Sequence, residues 1–253
     1  MHAPSASELL AVWERGRAQP LTTQALMLLA VASPDKPREV LGKLSIGRRD
    51  ARLLALREVL FGSRLTGLTA CPQCGQQLEL NVEAAELRAE ADQQVPETLT
   101  VTSAGYLAHF RLPNSEDLAA IAETDGPYRD EATTIRRLLS RCLVEVRRNG
   151  RRQKLDSRRS LPPTLVDAIA AEMEKADPQA NVQLGLNCAD CGHRWLSAFD
   201  IVSFLWNEID NWAGRILREV CVLASALGWS EADILAMSAQ RRQFYLQMIG
   251  DAK

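Results

Sequence analysis

The spacing of apolar residues changes twice along this chain. Through the first third they recur at helical intervals, as a helix with one buried side requires. Ser5 and Glu8 form a capping-box pattern that opens a short helix, and Pro20 closes it off. Thr22 or Thr23 can cap a second helix running to about Ala32, after which "SPDKP" punctuates the chain. A third helix is the clearest. In "RRDARLLALREVLFG", Leu53, Leu56 and Leu60 share a face and Gly62 stands as the C-terminal stop.

From Leu65 the period shortens to two. "LTGLTACPQCGQQLELNVE" places alternating apolar runs on either side of a Cys-x-x-Cys-Gly turn, predicting two strands joined by a knuckle, and "NVQLGLNCADCGHRWLSAFD" repeats that layout much later. Between them, "TLTVTSAGYLAHFRLP" alternates like paired strands. "NSEDLAAIAE" opens a helix with Asn114 or Ser115 as cap, and another helix spans roughly 130–142. "LVEVRRNGRRQKL" carries Asn149-Gly150 at its centre, a strong hairpin signal. "LPPTLVDAIAAEMEKADP" supplies one more helix, ended by Pro178.

The tail returns to helical spacing. Asp200 can cap a long helix bearing Ile201, Leu205, Ile209, Trp212, Ile216, Val220 and Leu227, with Gly228 as its end. Ser230 with Asp233 starts a short helix, and Ser238 can cap the last one. These readings predict an α+β fold, mainly helical. Its regions are N-terminal helices over 1–64, a split ribbon over 65–82 plus 181–199, an inserted α+β segment over 83–180, and C-terminal helices over 200–253.

The two knuckles carry the chemistry. Cys71, Cys74, Cys188 and Cys191 supply the soft ligands of a tetrahedral zinc site, and each glycine after the second cysteine permits the tight bend. A thioredoxin-like redox pair usually needs a single Cys-x-x-Cys between a strand and a helix; both copies here sit in hairpins. Inert thiols are the remaining reading. The paired pattern favours one structural zinc per chain, a closed four-cysteine ribbon split by the inserted segment. His193 then becomes a bystander, while Cys142 and Cys221 are read as small core residues.

Composition narrows the function class. The 253 residues are 46% hydrophobic and 25% charged with a net charge of −2, so nothing global draws the chain to nucleic acid or anionic lipid. The longest apolar run, Ala25–Ala32, falls far short of the ~20 residues of a spanning helix. The N-terminus lacks a signal-peptide pattern, so a cytoplasmic location is expected, with cysteines reduced or metal-bound. No phosphate-loop, dinucleotide or zinc-protease motif occurs, which points away from an enzyme and from a small-molecule substrate. The basic run Arg147–Arg159 reads as a solvated hairpin tip, with a phosphate-binding or acidic-partner role as the alternative. Trp206, Trp212, Trp229, Phe244 and Tyr245 read as core by default, with a docking face as the alternative.

Taken in order, "RDARLLALREVLFGSRLTGLTACPQCGQQLEL", "FRLPNSEDLAAI", "CADCGHRW…FDIVSFLWNEI" and "LGWSEADILAMSAQRRQFYL" resemble the T-even phage baseplate protein family. That family includes the baseplate hub assembly chaperone and relatives in contractile injection system clusters, and the resemblance runs from about residue 20 to 250. It implies a non-enzymatic baseplate or hub assembly factor, or a structural component, of a phage-tail-like particle. Its partners would be baseplate, hub or spike proteins, and it would be made in the cytoplasm, either acting there as a transient chaperone or being carried into the particle as a component. The alternative is a zinc-ribbon nucleic-acid-binding regulator using the basic hairpin 147–159.

Overall fold

In chain order the computed structural model runs α1 (Ala6–Gly16), α2 (Leu21–Ala32), α3 (Arg38–Gly42), α4 (Ile46–Phe61), β1 (Arg64–Ala70), β2 (Gln77–Glu83), β3 (Leu99–Ser103), β4 (Tyr106–Phe110), α5 (Ser115–Thr124), α6 (Glu131–Cys142), β5 (Leu143–Arg148), β6 (Arg151–Arg152), α7 (Pro163–Ala176), β7 (Gln183–Asn187), β8 (Arg194–Ala198), α8 (Ile201–Leu227), α9 (Glu231–Ala236) and α10 (Ala239–Asp251). Short 3-10 turns follow β2 and α7. The structure describes residues 2–89, 96–124, 130–153 and 161–251. The chain forms two compact units, one from Met1–Lys36 with Ile201–Lys253 and one from Pro37–Asp200. The fold is α+β and mainly helical.

The first unit is built of helices. Ser5 and Glu8 close the capping box at the start of α1, each side chain bonding the other's backbone amide. Pro20 does something other than stop that helix, which already ends at Gly16. Its φ of −59° and ψ of 152° make it the N-cap of α2, and its carbonyl accepts from Thr23 and Gln24. Thr22 and Thr23 therefore lie inside the helix and cap nothing. The long helix α8 buries Ile201, Leu205, Ile209, Ala213, Ile216, Val220 and Leu223, one continuous side at helical spacing. Leu10, Ala213 and Ile216 form one cluster, and Val220, Leu223 and Ile234 another beneath Trp229 and Tyr245. Each fully buried aliphatic side chain contributes about 1.5–3 kcal/mol.

The contact between α1 and α8 is tight at Gly16. A methyl group there would run into the six-membered ring of Trp206, itself only 8% exposed. Gly16→Ala is expected to lower stability by about 1–3 kcal/mol through overpacking, read as a lower melting temperature. An unchanged or raised melting temperature would show that Trp206 moves aside freely.

The second unit centres on a four-stranded antiparallel sheet in the order β3-β4-β5-β6. The two strand pairs of the inserted segment thus merge into one sheet, with Ala108 opposite Val146 and His109 opposite Glu145. Residues Ala104-Gly105 and Asn149-Gly150, all at positive φ, make its two tight turns, the geometry that suits two-residue hairpins. Helix α7 covers one face, packing Leu165 and Ile169 onto Leu99, Ala108, Phe110 and Val146. Asp117, at the start of α5, ties this layer together. Its carboxylate accepts hydrogen bonds from both terminal guanidinium nitrogens of Arg111, at 2.6 and 2.8 Å, and from Nε of Arg141 at 3.0 Å. Asn114 caps α5 by accepting from the Asp117 amide, and the Asp117 carboxylate accepts from the Asn114 amide in return.

Helix α4 is anchored from a distance. Ser45 caps it, Ile46 donates to Pro113 O, and the Gly47 amide donates to the Asp177 carboxylate at 2.8 Å. Gln179 clamps the segment after β2, accepting from Ala89 N and donating to Leu87 O. Gly62 ends α4 at a φ of 89°, as its place after the apolar run predicts.

Candidate metal centre

The two Cys-x-x-Cys-Gly turns fold identically, bond for bond. In the first, Ala70 pairs with Gln77 at the end of the β1–β2 ladder, and Cys71 N donates to Gln76 O at 2.9 Å. Gly75 N then donates back to Cys71 O at 2.9 Å. In the second, Asn187 pairs with Arg194, Cys188 N donates to His193 O at 2.8 Å, and Gly192 N donates to Cys188 O at 2.9 Å. Gly75 and Gly192 sit at φ 76° and 71°, a conformation that strains any residue with a Cβ. The glycine after each second cysteine is therefore what lets the chain close the bend.

Closing the bends turns sulfurs inward and amides onto them. Burial raises the Cys71 thiol, but backbone amides of Cys74 and Gln73 outweigh it and bring the thiol down to about 7. The Gln76 amide lowers Cys74, while hydrogen bonding with Cys191 and Cys188 and desolvation push it up to about 12. The His193 amide performs the same service for Cys191, whose thiol is nonetheless raised by desolvation and by Cys188 and Cys71. Crowded thiols share their protons unevenly, because one thiolate stabilised by amide donors makes the next ionisation harder.

The hairpins place the four sulfurs within 4.8 Å of one another. Cys71 Sγ lies 3.7 Å from Cys191 Sγ, and Cys74 Sγ lies 3.6 Å from Cys188 Sγ. A tetrahedral ion with metal–sulfur bonds of about 2.3 Å requires sulfur–sulfur edges of about 3.8 Å, so the donor set fits such an ion in both number and size. The first cysteine of each knuckle is buried (Cys71 2%, Cys188 1%), and the second is exposed. Each hairpin thus contributes one inner and one outer ligand. Four sulfurs fill a tetrahedron, so the arrangement can hold two distant segments together and offers no open position to a substrate.

Among the described residues, no further ligand joins this group. His193 stacks on Trp195 at 5.7 Å between ring centroids and 13° between planes, and it is not among the clustered ligand atoms. Cys142 is buried in the helical layer, and burial pushes its thiol up to about 12. Cys221 corrects the expectation of a second core cysteine, because it is exposed. On α8 the buried side passes through Val220 and Leu223, and the two intervening positions, Cys221 and Val222, turn outward. The aromatic residues of the tail divide: Trp206 is buried, Trp229 and Tyr245 pack edge to face at 4.9 Å, and Phe244 is 61% exposed.

The basic run lies at the β5–β6 hairpin, where Arg147 faces Arg152 and Arg148 faces Arg151; its continuation over 154–160 lies outside the described residues. Sequence reading missed Asp177 and Asp117 as anchors. The close spacing of Asn114 and Asp117 signals a cap, but the arginine partners of Asp117 come from outside α5. Among the described residues, no helix is long and apolar enough to cross a membrane. Residues 18–206, about three quarters of the chain, match the family described as T4 bacteriophage base plate protein, a span that includes both knuckles. No curated protein and no solved structure matches.

Proposed function

The chain belongs to the T4 bacteriophage base plate protein family, and we propose that it acts as a non-enzymatic assembly factor or structural component of the baseplate hub in a contractile, phage-tail-like particle. Its cofactor in this reading is one structural zinc ion held by Cys71, Cys74, Cys188 and Cys191. Its partners are baseplate, hub or spike proteins of the same particle, met in the cytoplasm where the particle is assembled. The observation that carries the reading is the family match running through both halves of the cysteine cluster. The closed donor set supports a structural use of the metal. Exposed Phe244 and Met248, one helical turn apart on α10, support partner contact through the C-terminal helices.

Deleting the gene in a producing strain is expected to leave sheath and tube proteins expressed but intact particles absent by electron microscopy. Particles of normal number and activity in the deletion strain would defeat this reading. Detection of the protein in purified particles would mark it as a component, and its absence from them as a transient assembly factor.

A further inference from the structure

The β5–β6 hairpin sets like charges directly against one another. Asn149 and Gly150, at φ 49° and 79°, lock the turn, and the register then fixes Arg147 opposite Arg152 and Arg148 opposite Arg151. Directly opposed like charges destabilise a strand pair, and here two such pairs follow one another in a hairpin whose second strand is two residues long. The pairs lie on opposite faces, because side chains alternate along a strand.

On one face Glu145 serves both guanidinium groups, at 3.2 Å from Arg147 and 3.4 Å from Arg152. The other face has no such carboxylate among the described residues. There Arg148 lies over the Tyr106 ring at 5.2 Å, which holds its planar fork in place. Ser103 Oγ donates to Thr164 O, bringing the first turn of α7 to the same end of the sheet. That turn carries no acidic residue, so it adds no negative charge of its own. All four cations are arginine, the residue that grips a carboxylate bidentately.

We infer that the β5–β6 hairpin tip is a docking site for an acidic segment of a protein partner, with Arg148 and Arg151 as its principal contacts. Charge complementarity identifies the chemistry. The choice of a protein over a nucleic acid rests on the baseplate reading and on geometry. The β5–β6 ladder spans only about 7 Å along two residue pairs, too short to track a groove, and Tyr106 lies under Arg148 and packs against the core, which leaves it poorly placed for base stacking.

The test uses the full-length chain and needs no particle, so its failure is separable from failure of the baseplate reading. A labelled Glu-rich peptide and a labelled DNA duplex are titrated by fluorescence anisotropy at near-physiological salt. The peptide is expected to bind, and R148E/R151E to weaken it by at least about tenfold, since like-charge juxtaposition is strongly unfavourable. The same charge change at exposed Arg215 and Arg218 of α8, which belong to the other compact unit, is expected to leave binding within about twofold, as charges that make no contact with the peptide act only through screened fields. Should R148E/R151E fail to fold, R148Q/R151Q replaces it with the same expected direction. No peptide binding, equal loss in the α8 control, or tighter binding to the duplex that R148E/R151E abolishes would each overturn the proposal.

Discussion

Replacing Cys71 and Cys188 with serine is expected to remove zinc from the purified chain and to unfold the unit spanning Pro37–Asp200. The magnitude follows from what the site closes. Structural zinc bound by a zinc-finger peptide contributes roughly 10–16 kcal/mol at neutral pH, while a whole domain is stable by about 5–15 kcal/mol. The β1–β2 and β7–β8 ladders are separate two-stranded sheets, a form that is marginal by itself in water. Their alternating half-buried pattern gives each only one partly covered face. The wild-type chain should carry about one zinc by elemental analysis, and a strong chelator should lower its melting temperature. Exposed Cys221 offers the control: its serine variant should keep the metal. A full metal complement in the Cys71/Cys188 double variant would rule out the four-cysteine site.

The second large effect is expected at Asp117. Its carboxylate is 1% exposed and engages two arginines, so Asp117→Ala leaves Arg111 and Arg141 without their anion and Asn114 N without its acceptor. Breaking a buried pair from one side costs about 3–5 kcal/mol, which for a unit of this size is a fall of roughly 6–20 °C in melting temperature. Burial works against the Asp117 charge, but the Arg111 guanidinium, the Asn114 amide and Arg141 together hold its carboxyl below the usual range. A depressed carboxyl stabilises above its unfolded value of about 3.9 and loses that contribution as pH falls through the folded one. The stability gap between wild type and Asp117→Asn should therefore narrow as pH drops below about 4. Asp50 and Asp177, both raised by burial, act in the opposite sense and are common to both proteins, so they cancel in the difference. A gap that stays constant down to acid unfolding would mean the arginines do not depend on the Asp117 charge.

Local signals were read well from the chain because their causes are local. The Ser5–Glu8 box, the Gly62 stop, the Asn149-Gly150 turn and the Ser230 and Ser238 caps each depend on a few neighbouring residues, and each is present. The cysteine cluster was legible for a different reason. The knuckle pattern occurs twice, and two half-sites of matching form imply a whole one. Long-range partnerships were not legible. Apolar spacing says which side of a strand is buried but not which strand lies beside it, so the merger of β3–β4 with β5–β6 left no sign. Asp117 and Asp177 look in sequence like ordinary carboxylates at helix ends; only folding brings Arg141 to one and the Gly47 amide to the other. Cys221 shows how narrow a helical face is, since one step of about 100° separates buried Val220 from open solvent.

The two halves of the cysteine cluster stand 114 positions apart, from Cys74 to Cys188. At synthesis rates of about 5–20 residues per second, the first knuckle leaves the ribosome roughly 6–23 s before the second. Throughout that interval Cys71 and Cys74 are a bare dithiol on a nascent chain, able to hold metal with two sulfurs only. The helices of the first unit meet a longer delay, because α1 and α2 wait for α8 to be translated. Neither unit can close until late in synthesis, so Cys71 and Cys74 reach their full ligand set only after most of the chain has been made.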